Sequence, residues 1–212
     1  MTSHKKTLQD LEYYKVDADF PTCGNVSRDS PHEALDGDGK KKACRVHSGF
    51  YDDWTHVRPS VVNATLQALA DHPGARVWVT GHSLGGAIAC LGAVELAVLL
   101  QRRDVRLLTF GEPRVGNAPF AAFVRDWVPA ALRVVHQDDA VPHLPPQGSE
   151  PLLLTAFRHH GTEVWQTGPR DDAFVPCDAS GEDPRCSDSL LPWDRSVEAH
   201  RWYLGWPLHC GL

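Results

Sequence analysis

Residues 77–87 read Val-Trp-Val-Thr-Gly-His-Ser-Leu-Gly-Gly-Ala, an apolar β-type run that carries a serine between glycines straight into a long apolar helical pattern. A strand that turns so sharply into a helix needs small residues beside the turn, a role that Gly81 and Gly85 fit. This is the pattern of a nucleophile elbow, with Ser83 as the candidate nucleophile at the end of a strand. Leu84 then opens the helix, and its backbone N–H points where the oxyanion of an acyl-transfer intermediate would form. Such a strand–turn–helix unit demands a sheet with helices against it, and most other fold classes fall away.

The rest of the chain suits that class. A chain of 212 residues with 42% apolar content fits one domain with a sizeable core. The net charge of −6 leaves no basic field, and the cluster Lys40-Lys41-Lys42 sits in a Gly/Asp-rich stretch, so nucleic acid is not an expected partner. The most apolar stretch, residues 87–100, is too short to span a bilayer and carries Glu95; it reads as a buried helix.

Helical spacing predicts a helix over residues 54–71, with Val57, Val61, Val62, Leu66, Leu69 and Ala70 on one face and Pro73-Gly74 ending it. A buried strand is expected over 105–110, a helix over 119–128 and a strand over 132–136. The strand–helix–strand–helix–strand order implies a parallel sheet flanked by helices. Weaker strands are expected at 152–157 and 163–166, and a short helical stretch at 196–204. Residues 7–14 read as a short amphipathic helix through Leu8, Leu11 and Tyr14, and 20–42 as a long loop that Cys23 and Cys44 could close.

Of six cysteines, Cys90 falls within the apolar helix and reads as an inert core thiol, while Cys177 and Cys186 bracket a short polar loop. None has zinc-type Cys-x-x-Cys spacing. The sequons at Asn25 and Asn63 are glycosylation candidates, and with the cysteines they favour a secreted protein. The chain nevertheless opens Met1-Thr2-Ser3-His4-Lys5-Lys6 with no apolar signal-peptide core.

A nucleophilic serine needs a base, and the base an orienting acid, in chain order serine, acid, histidine for sheet enzymes of this kind. Asp139 follows the strand ending at His136, on the sheet edge where the elbow strand also ends; Asp138 is its near neighbour. His143, His159, His160, His200 and His209 all qualify as base by order. His82 reads as structural, and His159-His160 lacks the spacing of a metal pair. No metal or cofactor is called for.

The chain is similar to the fungal class 3 lipase family, which includes triacylglycerol lipases and feruloyl esterases. The resemblance runs through Gly81-His82-Ser83-Leu84-Gly85-Gly86-Ala87, then Gly111-Glu112-Pro113-Arg114-Val115-Gly116-Asn117 and His136-Gln137-Asp138-Asp139-Ala140-Val141-Pro142. It continues through His159-His160-Gly161-Thr162-Glu163-Val164-Trp165 and Ala199-His200-Arg201-Trp202-Tyr203-Leu204-Gly205. It implies an α/β-hydrolase-type, mostly parallel sheet, with Asp139 of the Asp-x-Val-Pro element as acid and His200 of the His-x-x-Tyr element as base. By the same resemblance Cys23 pairs with Cys44 and Cys177 with Cys186. The implied activity is hydrolysis of lipid esters, acylglycerols above all, at an oil–water interface, with residues 7–14 as a lid and no obligate protein partner.

Against the family pattern the chain, read as one partial domain over 1–212, lacks an N-terminal helix and the first strands. The family's second oxyanion donor, from a Gly-Ser/Thr pair, falls at Thr2, and losing such a donor costs about 10²–10³ in kcat. Cys210 matches a cysteine whose partner lies near the family's N-terminus, so it is expected to be unpaired. These departures suggest a shortened form of a secreted enzyme. They also leave room for two other readings, a feruloyl or small-ester esterase and a catalytically impaired fragment that at most binds lipid.

Overall fold

The computed structural model describes residues 15–17, 23, 44–147, 156–170 and 173–208. Thr2, the segment 7–14, Asn25, His209 and Cys210 lie outside them.

A short antiparallel pair, β1 (Lys15–Asp17) and β2 (Arg45–His47), precedes the main body. The first helix, α1 (Ser48–Asp71), starts six residues earlier than its apolar spacing predicts. His47 caps it, its Nδ1 accepting from the Phe50 N–H, and the residues it buries are Phe50 and Trp54, four apart on one face. The expected apolar row points elsewhere: Val57, Val61 and Leu66 are each more than a third exposed.

The sheet is built from β3 (Trp78–His82), β4 (Arg106–Phe110), β5 (Ala130–His136), β6 (Glu163–Gln166) and β7 (Phe174–Pro176), in that spatial order. The first four run parallel, with Trp78 opposite Arg106 and Arg106 opposite Ala130; β7 adds an antiparallel edge. Helices α2 (Leu84–Leu100) and α3 (Ala118–Trp127) make the crossovers. The strand expected at 152–157 falls mostly outside the described residues, and its last two, Ala156 and Phe157, are not in a strand.

The core lies where α2 packs on the sheet and α1. Most of α2 is buried, Glu95 included, because that carboxylate accepts from the Trp54 indole N–H at 2.8 Å and pairs with Arg58. Cys90 is fully buried, and burial, then the nearby Glu112, push its thiol well above the ordinary range. Among the described residues no helix is long and apolar enough to cross a membrane.

The C-terminal stretch corrects the sequence reading. Instead of a helix over 196–204 the chain makes one 3₁₀ turn, Ala199–Arg201, and then a hairpin of β8 (Trp202–Tyr203) and β9 (Trp206–Pro207). Leu204 and Gly205, at φ of 54° and 78°, form the two-residue turn that such a hairpin requires. Disulfides join Cys23 to Cys44 and Cys177 to Cys186, with Cα–Cα separations of 5.9 and 6.1 Å.

Candidate active site

The C-terminal ends of β3, β4 and β5 meet in one place, and the site is built there. β3 ends at His82 and Ser83 makes the whole turn into α2, at φ 58° and ψ −130°. A side chain is rarely held in that region unless the surroundings impose it. They do: the Ser83 N–H donates to the Phe110 carbonyl at the end of β4, and its own carbonyl accepts from Gly86 and Ala87. A Cβ on Gly81 would run into the backbone of Gly85. The second tight glycine is Gly86, whose added Cβ would lie 3.3 Å from Glu112 Cβ; an added Cβ at Gly85 would meet open space, so Gly85 takes part through its backbone and not through its missing side chain.

Leu84, the first residue of α2, has no carbonyl within the helix to receive its N–H, and the helix's positive end lies at this turn.

Asp139 follows β5 and is completely buried. Its Oδ1 accepts from the Val141 N–H at 2.8 Å, while Oδ2 accepts from His200 Nδ1 at 2.8 Å and from the Tyr203 hydroxyl. Burial, then the Asp139 charge, push the Tyr203 phenol well above its ordinary range, so it stays a donor. Sequence reasoning gave no role to Tyr203, although it stands in the quoted His-x-x-Tyr element. Gly111, at φ 58°, lies directly under this pair: an added Cβ would come within 2.8 Å of the His200 ring and 2.9 Å of Asp139 Oδ2. His200 Nε2 is buried and has no hydrogen-bond partner among the described residues.

The other described candidates for the base are committed elsewhere. His143 Nδ1 contacts Asp188 at 3.2 Å, His159 Nε2 donates to the Pro142 carbonyl at 2.7 Å, and His160 Nε2 bonds Glu112 at 3.0 Å. Asp138 stands half-buried on the turn, its carbonyl accepting from the Ser196 N–H. Nor do the residues of the run 111–117 touch chemistry as a set. Arg114 forks onto Glu182 at 2.9 and 2.7 Å, and Asn117 Oδ1 caps α3 through the Phe120 N–H. Cys90, Glu112 and His160 stand close enough together to face one ion, but the Glu112 carboxylate is already taken by Thr109 and His160. Asn63 is exposed on α1.

A mostly parallel sheet flanked by helices, with a strained serine at one strand end and a buried His–Asp pair beside it, defines an α/β-hydrolase-type protein. The sequence model of the lipase (class 3) family matches residues 6–149, and the chain belongs to that family. A lipase of Rhizomucor miehei is 37% identical over 164 residues, which are 76% of this chain and 43% of that protein. Secreted mono- and diacylglycerol lipase 1 of Fusarium solani is 41% identical over 136 residues, 62% of this chain and 38% of its own length. The chain thus spans less than half the length of either relative. Among solved structures, a triacylglycerol lipase described as having a serine protease triad at its catalytic centre superposes with a TM-score of 0.71 at 32% identity. It covers 92% of this chain and 65% of its own.

Proposed function

We propose that the chain is a carboxylic ester hydrolase that cleaves lipid esters, acylglycerols in particular, with Ser83 as nucleophile, His200 as base and Asp139 as its orienting acid. The observation that carries this reading is the His200 Nδ1–Asp139 Oδ2 bond of 2.8 Å beside the strained elbow, with His200 Nε2 left open. Asp139 fixes the tautomer that puts the lone pair on Nε2, so His200 can take the Ser83 proton as the oxygen attacks the ester carbonyl. The Leu84 N–H receives the oxyanion, with Thr2 proposed as the second donor. The alcohol leaves with the proton from His200, and water, activated by the same ring, hydrolyses the acyl-enzyme.

Membership in the class 3 lipase family and the acylglycerol specificity in the Fusarium relative's name support the substrate class. The domain is proposed as a single lipase-type unit over 1–212, with 7–14 as a lid that moves at an oil–water interface. Secretion is proposed from the two disulfides and from the secreted Fusarium relative.

The test is reaction with a fluorophosphonate followed by peptide mapping, together with a chain-length series of p-nitrophenyl esters. Label on Ser83, lost in His200→Ala, with turnover rising on emulsified long-chain esters, is the expected result. Label elsewhere, or hydrolysis that survives Ser83→Ala, overturns it, and a preference for short soluble esters moves the substrate class to a small-ester esterase.

A further inference from the structure

His200 sits on a single 3₁₀ turn near the end of the described chain, a short element with little core of its own. Two other histidines hold it. His82, the last residue of β3, has its Nε2 at 2.9 Å from the His200 carbonyl, and His136, the last residue of β5, has its Nδ1 at 2.9 Å from the Ala199 carbonyl. A carbonyl only accepts, so each ring nitrogen donates. Two successive peptide oxygens of the turn are therefore clamped from two strand ends, with Gly111 at the end of β4 filling the floor between them. The His82 ring also lies against the face of the His200 ring, with centroids 4.4 Å apart and planes 29° apart.

We infer that His82 and His136 are positioning residues that fix the backbone and ring of the base, His200, against the elbow serine. The inference rests on the hydrolase reading above. A base displaced by about 1 Å loses on the order of 100-fold in rate without any loss of substrate binding. Two clamps placed on adjacent carbonyls restrain both the position of the turn and its rotation, which a single bond would not. The stack gives His82 a second role. Burial, then the neighbouring His200, hold its imidazole below the ordinary range, so an uncharged aromatic face meets His200 when that ring takes up the serine proton.

The test has one part that needs no variant. Long-range ¹H–¹⁵N spectra of histidine-labelled protein near neutral pH should show His82 protonated at Nε2 and His136 at Nδ1; the opposite tautomer at either residue overturns the clamp. The second part uses paired substitutions on a soluble ester. His136→Asn keeps a donor where Nδ1 stood and His82→Gln keeps one where Nε2 stood, whereas His136→Phe and His82→Phe keep the ring and lose the donor. The phenylalanine variants should lose about 10- to 100-fold in kcat with KM unchanged, and His136→Asn should recover to within about threefold. His82→Gln, which retains the clamp without the stack, should fall between. Folded variants, judged by melting curves, that keep full kcat overturn the inference, as does an equal loss with and without the donor. If hydrolysis survives Ser83→Ala, the hydrolase reading fails instead, while the tautomers still report the clamp.

Discussion

Ser83, Asp139 and His200 are each held by something the local sequence does not contain, Ser83 through its backbone N–H and the other two through their side chains. Asp139→Asn keeps the shape but reverses the donor facing Nδ1, so kcat should fall by about 10⁴ with little change in KM. Tyr203→Phe removes one donor to the buried carboxylate. Its expected cost is about 1.5–3 kcal/mol of stability, with a smaller loss of kcat than Asp139→Asn; an unchanged urea midpoint would show the hydroxyl to be idle. Gly111→Ala should be worse than its size suggests. It combines about 1–2 kcal/mol of left-handed backbone strain with a methyl pressed into the His200–Asp139 pair, and the measured signature is a drop in kcat larger than the drop in melting temperature implies. Ser83 and Asp139 were legible as candidates because each follows a readable strand in a distinctive turn. The candidate base was not, until the family pattern chose among five histidines, and the contacts of Tyr203 and His82 span 64 and 118 residues, which no local pattern encodes.

Periodicity found the elements that are buried on one side and missed those set by turn chemistry. The strands at 106–110 and 130–136 and the helix at 118–127 lie within a residue or two of their expected bounds, since their apolar spacing is also their packing. β7 is only three residues long, too short for a period to be read, and leaves Phe174 and Val175 partly exposed. The hairpin after His200 was mistaken for helix because Trp202 and Tyr203 fit both periods; Gly205 and Pro207 were the usable signals against a helix. Connections between elements carry their own pH dependence. His159 ties its segment to the Pro142 carbonyl, and burial, then Arg133 and Arg114, hold its imidazole well below the ordinary range. In the unfolded chain the ring titrates near its usual value of about 6.5. The unfolded state therefore binds the extra proton first, and stability is lost as pH falls through about 6.5 toward the folded value, with a slope of at most about 1.4 kcal/mol per pH unit from this group. Urea unfolding between pH 5 and 8 should show that slope, and His159→Gln should flatten it.

At the scale of the molecule, β3 pairs with β4 on one side and, among the described residues, with no strand on the other. A groove of about 260 Å³ runs along that edge, lined by Trp54, Val57, Val61, Trp78, Val79 and Ile88. An unpaired strand edge beside apolar side chains is a template for association. Concentration-dependent association is expected in sedimentation velocity, and Val61→Lys, which puts a charge into the groove from the exposed face of α1, should lower it without changing the far-ultraviolet spectrum; unchanged association would place the contact elsewhere. That the helix face of Val57, Val61 and Leu66 stays open could not be read from its spacing, because periodicity reports an apolar face and not what covers it. The proposed clamp on His200 also sets an order of assembly. His82 and the turn it contacts are 118 residues apart, so a ribosome delivers Ser83 long before His200, the base proposed for it. The site proposed here can therefore be completed only once translation has passed residue 200.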